Sequence, residues 1–264
     1  MISLKKILIT GARSGIGNAV VEKLLTKDYY LYVTVKTEKQ LEFIKEKYKE
    51  YSNVKCLKLD ITSETDRQKI SSIDIDILVN MAAIGYGGSI SEIPMEKVRE
   101  NFEVNVFSTF SLVQLVIKQM MSKKRGKIII MSSLAGIIPL NFLGVYSATK
   151  ASINQLTTTL KNELKLLNND INIVLIEPGM YYTGFNQVML ENKYDWMNKQ
   201  SYFKSELELI RKRENLLFCL LEKNKLNSIV NKVVKSIETD NPKFIYRAPL
   251  LQVIGAKLYQ IFKM

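Results

Sequence analysis

Apolar positions along this chain fall into short blocks separated by amphipathic stretches, and the two alternate. Ile7-Leu8-Ile9 is a β-type run that opens into a Gly-rich turn and then a helical stretch from Gly17 to Lys27. Tyr30 to Val35 predicts a second strand, Glu38 to Tyr51 a charged helix, Val54 to Leu59 a third strand and Ile75 to Val79 a fourth. A long helix is expected over about Met95 to Ser122, a fifth strand at Lys127 to Met131 and its helix over Ser147 to Leu167. Ile171 to Ile176 reads as strand six and Lys243 to Tyr246 as strand seven. Strands alternating with helices indicate βαβ units and a parallel sheet. Runs such as Ile128-Ile129-Ile130, with no polar alternation, fit strands covered on both faces. The expected fold is α/β: one doubly wound, Rossmann-type parallel sheet of about seven strands in one domain spanning residues 1–264. Ligands in such sheets lie beyond the carboxyl ends of the strands, and the motifs below fall there.

Composition narrows the chemistry. The chain of 264 residues is 47% hydrophobic, enough for a full core. No apolar run reaches the roughly 18 residues of a membrane span, and the first residues lack the shape of a signal peptide. The expected location is therefore cytoplasmic. Cys56 and Cys219 cannot make a disulfide framework or a Cys-rich zinc site and are expected as two buried free thiols. There is no histidine, which removes Ser-His-Asp hydrolysis, Cys-His proteolysis and His-ligated metals. An acid–base group working near neutral pH must then be Asp, Glu, Lys, Cys or Tyr with a shifted pKa. The net charge of +12 admits a polyanionic partner. The lysines, however, alternate with acids, as in Lys45-Glu46-Lys47-Tyr48-Lys49-Glu50. That pattern suits a solvated helix face, and no nucleic-acid partner is expected.

The turn Thr10-Gly11-Ala12-Arg13-Ser14-Gly15-Ile16-Gly17 sits between strand one and helix one. Glycines there let backbone amides approach a pyrophosphate, and the helix N-terminus adds partial positive charge. Strand two ends at Val35-Lys36-Thr37, where an NAD-binding fold usually carries an acid. Lys36 in its place, with Arg13 in the turn, favours the 2′-phosphate of NADP(H).

Tyr146-Ser147-Ala148-Thr149-Lys150 sets a Tyr and a Lys one helical turn apart on one face. The same spacing occurs at Tyr32/Lys36, Tyr51/Lys55 and Tyr259/Lys263, so position in the fold must decide. Only Tyr146 follows strand five and opens its helix, with Ser133 at the strand end thirteen residues upstream.

With these residues in view, the sequence resembles the short-chain dehydrogenase/reductase family over roughly residues 3 to 185. The resemblance maps the family's glycine motif onto Thr10 to Gly17, with Gly11, Arg13, Ser14, Gly15, Ile16 and Gly17 at the cofactor. It implies adenine contacts from Asp60, with Ile61 beside it, and cofactor contacts from Asn80 and Ala82. Pro178-Gly179 and Thr183 would lie near the nicotinamide. Asn105, Ser133, Tyr146 and Lys150 match the catalytic set. Met81 and Ala83 depart from the family's second Asn and its Gly, which loosens the expected adenosine contacts but not the chemistry. The implied reaction moves a hydride between NADP(H) and a carbonyl or secondary alcohol. Tyr146 is the proton donor and acceptor, its pKa lowered by the Lys150 ammonium. Ser133 holds the substrate oxygen, and Asn105 carries a water in a relay through Lys150. A non-catalytic NADP(H) sensor is the alternative, and it would not need these four residues together. The family also implies a homodimer or homotetramer formed through the helices that follow strands four and five.

Residues 184–227 read as a substrate lid with Phe185, Met189, Tyr194, Trp196, Met197, Tyr202 and Phe203. Leu140, Phe142 and Leu143 would form another pocket wall. So apolar a lining suits a lipophilic ketone better than a sugar. Leu250 to Phe262, beside Lys257 and Lys263, is expected to pack on the domain or a partner subunit, with peripheral membrane contact as the alternative.

Overall fold

The computed structural model describes residues 4–262. Lys263 lies outside them. Seven parallel strands form one sheet in the order β3-β2-β1-β4-β5-β6-β7. They are β1 (Lys5–Ile9), β2 (Tyr29–Val35), β3 (Val54–Lys58), β4 (Ile77–Asn80), β5 (Arg125–Met131), β6 (Asp170–Pro178) and β7 (Ile245–Ala248). The order reverses between β1 and β4, and that switch point opens the crevice in which the site lies.

Alternate strand residues feed opposite faces, as the pleat requires. Ile7, Ile9, Ile129 and Val174 join one cluster with α1 (Gly15–Leu24), α2 (Glu38–Lys47) and α9 (Asn227–Glu238). Leu8, Leu78, Ile128 and Ile130 join the other, with α3 (Glu64–Ile70), α5 (Thr109–Lys123) and α6 (Gly144–Leu164). Both faces are covered, which is why the strands read as unbroken apolar runs.

Several boundaries differ from the expectation. The long helix is divided: α4 (Met95–Phe102) passes into a π-helical turn, Glu103–Ser108, before α5 begins. The whole stretch Met95–Lys123 has the length and apolarity to cross a membrane, although no single apolar run there is long enough. Half of its most apolar window is buried, however, and Leu112, Val113, Val116 and Met120 pack on the sheet, so it is a core helix. Strand seven lies two residues later than expected. Segment 184–227 forms α7 (Phe185–Met197) and α8 (Leu207–Leu221), and the chain ends in α10 (Leu250–Phe262). The expectation of two buried thiols is corrected. Cys56 is half-buried, and Cys219 is exposed because the second half of α8 has no element over it.

The switch point is tied by one hydroxyl. Thr10 Oγ1 donates to Asn80 Oδ1 at 2.7 Å and accepts from the amides of Met81 and Ala82, each at 3.0 Å. Thr10 and Asn80 are both buried, whereas Met81 and Ala82 are partly buried and line the central cavity. Thr10→Val keeps the shape and removes the acceptor. It should destabilise the fold by about 1–3 kcal/mol, because the buried Asn80 Oδ1 loses its donor and two part-buried N–H groups lose their acceptor. Urea denaturation measures this; a loss below about 1 kcal/mol would mean that the amides find other partners.

Candidate active site

The Gly-rich turn leaves β1 and enters α1. Gly11 and Gly15 have φ of +67° and +59°, a region that only glycine enters freely. A side chain on Gly17 would stand 2.4 Å from the Gly11 carbonyl. The turn is thus built to be tight. Ser14 precedes α1 but makes no side-chain cap, and the first turn of α1 has no acid. The first amides of α1 are therefore left for a ligand, and Ser14, Gly15, Ile16 and Gly17 line the central cavity.

That cavity measures about 1350 Å³, more than the roughly 300–1,000 Å³ typical of a site for one small ligand. Gly11, Arg13, Lys36, Asp60, Ile61, Ala82, Pro178, Gly179 and Thr183 also line it. Thr183 lies over the Gly-rich turn, close enough that a Cβ on Gly15 would come within 3.0 Å of its own Cβ. Lys36 Nζ is 3.8 Å from Asp60 Oδ2, and Asp60 Oδ1 accepts from the amide and hydroxyl of Thr62. Three cations, Arg13, Lys36 and Arg213, and the buried Lys150 line the cavity with two carboxylates, Asp60 and Glu214, of which Glu214 is already paired with Lys193. The balance favours an anionic ligand. The uncapped helix, the glycine cradle and the cavity's size all fit a dinucleotide.

Ser133, Tyr146 and Lys150 meet on the cavity floor. Tyr146 lies in the first turn of α6, which begins earlier than the sequence suggested. Burial pushes the Tyr146 phenol well above its ordinary value, and the nearby Ser133 hydroxyl pulls it part of the way back. The expected lowering by Lys150 is not what this arrangement produces. Lys150 Nζ donates to the Met131 carbonyl at 3.1 Å and lies 5.6 Å from the centre of the Tyr146 ring. Burial also lowers Lys150, to about 7. At neutral pH the phenol therefore keeps its proton, and the lysine is only partly charged. Ser133 Oγ accepts from the Ala135 amide at 3.0 Å and donates to the Pro178 carbonyl at a long 3.4 Å. That loose donor can turn toward a substrate oxygen.

Two expected site residues stand behind the cavity wall rather than in it. Asn80 is held by Thr10 and donates to Thr109 Oγ1 at 3.1 Å. Asn105, in the π-helical turn, pairs with both backbone groups of Ile84 at 2.9 Å and donates to Thr149 Oγ1 at 3.1 Å. Its Oδ1 keeps one acceptor position. Residues that motif reasoning does not name also shape the site: Ile84 and Met131 through their backbones, and Gln252, which accepts from the Met180 amide at 2.7 Å.

The other half of the cavity is apolar. Phe185 and Met189 pack with Tyr146, Leu140 and Leu143, with the Phe185 ring 5.7 Å from that of Tyr146. Tyr194, Trp196, Met197 and Phe203 instead pack α7 and α8 onto the loop at Phe142. Trp196 Nε1 donates to the Gly87 carbonyl at 3.1 Å. Lys193, fully buried, pairs with Glu214, which also accepts from the Tyr194 hydroxyl. Tyr202 is exposed.

An open parallel sheet with an uncapped glycine turn and a buried Tyr-Lys-Ser group defines a dinucleotide-dependent oxidoreductase class of site. The short chain dehydrogenase family model matches residues 5–193, and the chain belongs to that family. An NADPH-dependent 3-dehydrocapnine reductase of Ornithobacterium rhinotracheale is 30% identical over 186 residues, 67% of this chain and 65% of that reductase, so the match leaves about a third of it unspanned. A 3-ketodihydrosphingosine reductase of Bacteroides thetaiotaomicron is 30% identical over 260 residues, 95% of this chain and 90% of the other. The solved structure of a short chain dehydrogenase/reductase from Burkholderia phymatum in complex with NAD superposes with a TM-score of 0.82 at 21% identity, covering 99% of this chain and 95% of that one. At that identity the superposition shows the fold.

The two buried ionisable groups make a testable pair. Lys150 is neutral above about 7 in the folded, ligand-free protein but protonated to about 10.4 when unfolded. Unfolding therefore takes up a proton between those values, and stability rises with pH across them. From pH 7 to 9 this group should add at most about 2 kcal/mol. Urea denaturation at the two pH values, wild type against Lys150→Met, isolates it, since Lys127, which burial lowers to about 8, is common to both. Equal slopes in the two proteins would show that Lys150 stays charged.

Proposed function

We propose that this protein reduces the carbonyl group of a lipophilic small molecule with NADPH, and that Tyr146 donates the proton. The observation that carries this reading is the protonated, buried Tyr146 between Ser133 and Lys150, where a polar, cationic half of the cavity meets an apolar half.

The Gly-rich turn would hold the pyrophosphate, Asp60 and Ile61 the adenine side, and Arg13 with Lys36 the 2′-phosphate. Pro178, Gly179 and Thr183 would border the nicotinamide. Bound NADPH supplies the hydride. The chain's own work is orientation and proton transfer. Ser133 binds the carbonyl oxygen and sets it beside the Tyr146 phenol, which protonates the growing alkoxide. Lys150, once an anionic cofactor lies beside it, gains its charge and stabilises the phenolate left behind. Water at the open acceptor position of Asn105 would return the proton from solvent. Residues 184–227 act as the lid: Phe185 and Met189 exclude water from the reacting oxygen, and the Lys193–Glu214 pair and Trp196 hold α7 in place. The direction is supported by the relatives, both named reductases, one of them NADPH-dependent and the other acting on a 3-keto compound.

Tyr146→Phe removes one oxygen from the floor. Ketone reduction, followed by NADPH absorbance, should fall by about 10³-fold or more, while NADPH binding measured by fluorescence stays near wild type. Full turnover in that variant would sink the assignment.

Cofactor choice has its own test. Lys36 already neighbours Asp60 and would exchange that weak, exposed pair for a phosphate. Arg13→Ala with Lys36→Ala should raise the KM for NADPH by about 10–100-fold, roughly one order per lost phosphate contact. The KM for NADH should stay where it is. Parallel losses for both cofactors would show that the two cations act on something the cofactors share.

A further inference from the structure

The helix α10 is apolar almost all round. Its 13 residues carry one charge, Lys257. On the inner face Val253 and Ala256 are buried against Leu134, Ile137 and Ile138. On the outer face Leu250, Leu251, Ile254, Leu258, Ile261 and Phe262 are 45–75% exposed. The second half of α8 behaves in the same way: Leu216, Leu217, Leu220 and Leu221 are all exposed, with Cys219 among them. The two stretches adjoin, because Gln252 Nε2 donates to the Leu221 carbonyl at 2.6 Å. So much contiguous apolar surface marks an interaction site.

Its surroundings identify the partner. Exposed Arg213 on α8, Lys223 and Lys225 after it, and Lys257 on α10 outnumber the acid Glu222, while Lys212 and Glu208 cancel as a pair and Arg211 stacks on Tyr194. Glu214 is neutralised by the buried Lys193. An exposed apolar helix face with a surplus of exposed cations on the same elements is the composition of an interfacial helix on anionic lipid. The patch is also continuous with the reaction cavity: Leu217, Leu221 and Leu251 are exposed and line that cavity too. A second protein seated there would cover the rim that a substrate must cross, whereas a bilayer would leave a lipophilic molecule on the apolar side throughout.

We propose that α10 and the second half of α8 dock this protein on an anionic bilayer, with the mouth of the cavity facing the lipid. The docking surface stands on its own residues; the delivery of substrate through it rests on the lipophilic-substrate reading above.

The test is flotation of the full chain with vesicles of phosphatidylcholine alone and of phosphatidylcholine mixed with phosphatidylglycerol. The protein should float with the mixed vesicles, less so at high salt, and poorly with phosphatidylcholine alone. Leu220→Glu with Leu258→Glu should cut the bound fraction about tenfold or more. Neither residue lines the cavity, so reduction of a short, water-soluble ketone should be unchanged. A fluorophore on Cys219, in a Cys56→Ser background, reads the unaltered surface and should shift to the blue only with the anionic vesicles. Wild-type protein that stays unbound to both vesicle types overturns the proposal. So does a dimer that the double variant splits while neither protein binds vesicles, because the surface would then join two copies. Absence of ketone reduction in the wild type would overturn the proposed function and leave a positive vesicle result standing.

Discussion

The two halves of the cavity are fixed to each other by one run of buried and part-buried hydrogen bonds. It starts at the Thr10 hydroxyl, where β1 ends, and passes to Asn80 and to the amides of Met81 and Ala82. From the loop that follows, both backbone groups of Ile84 reach Asn105. Asn105 donates to Thr149, and Thr149 donates to the Tyr146 carbonyl at 2.7 Å. The Gly-rich turn and Tyr146 are thereby held in one register, though they are more than a hundred residues apart in sequence. The groups at its two ends, Thr10 with Asn80 and Asn105 with Thr149, are buried and have no water to fall back on, so breaking the run there is costly. The π-helical turn at Glu103–Ser108 belongs to this constraint, since it is the segment that carries Asn105 into the run.

Burial on the cavity floor sets the chemistry that follows. It raises the Tyr146 phenol and lowers the Lys150 ammonium, so each group is driven toward its neutral form. A neutral phenol beside a partly neutral lysine is a site with a proton to give and no charge in place to receive. An anionic ligand changes the second term and not the first: it restores the lysine's charge while the phenol stays dry. The site is thus tuned by what fills the cavity, and the lysine's bond to the Met131 carbonyl holds it near the ring until then.

Much of this was legible in the sequence, and the reasons are local. The central strands could be read because Ile7-Leu8-Ile9, Ile77-Leu78-Val79 and Ile128-Ile129-Ile130 are buried and carry nothing polar. Gly11, Gly15 and Gly17 could be read because the turn tolerates no side chain. Tyr146 was singled out by its place after β5, and its two partners, Ser133 and Lys150, do meet it. What escaped depends on tertiary context. The helix α3 is short and polar, with Asp66 buried among Lys58 and Lys69, so it shows no apolar period. The helix α9 does carry that period at Ile229, Val230, Val233, Val234 and Ile237, and the pattern there was open to counting. The π-helical turn leaves no mark in residue type. The charge state of Lys150 could not be read from its spacing to Tyr146, because spacing fixes which face a side chain shares and not how dry that face is.

The aromatics of segment 184–227 show the same division between what a residue type offers and where the fold spends it. Phe185 and Met189 face Tyr146, but Tyr194, Trp196, Met197 and Phe203 build a second small core that holds the segment down. Burying Lys193 beneath Tyr194 costs desolvation, and Glu214 offsets it by pairing with both. Glu214 is also a cavity-lining residue on α8. The pair that fastens α7 therefore ends on the helix whose outer leucines are exposed, so one carboxylate ties α7 to the helix that carries the apolar rim.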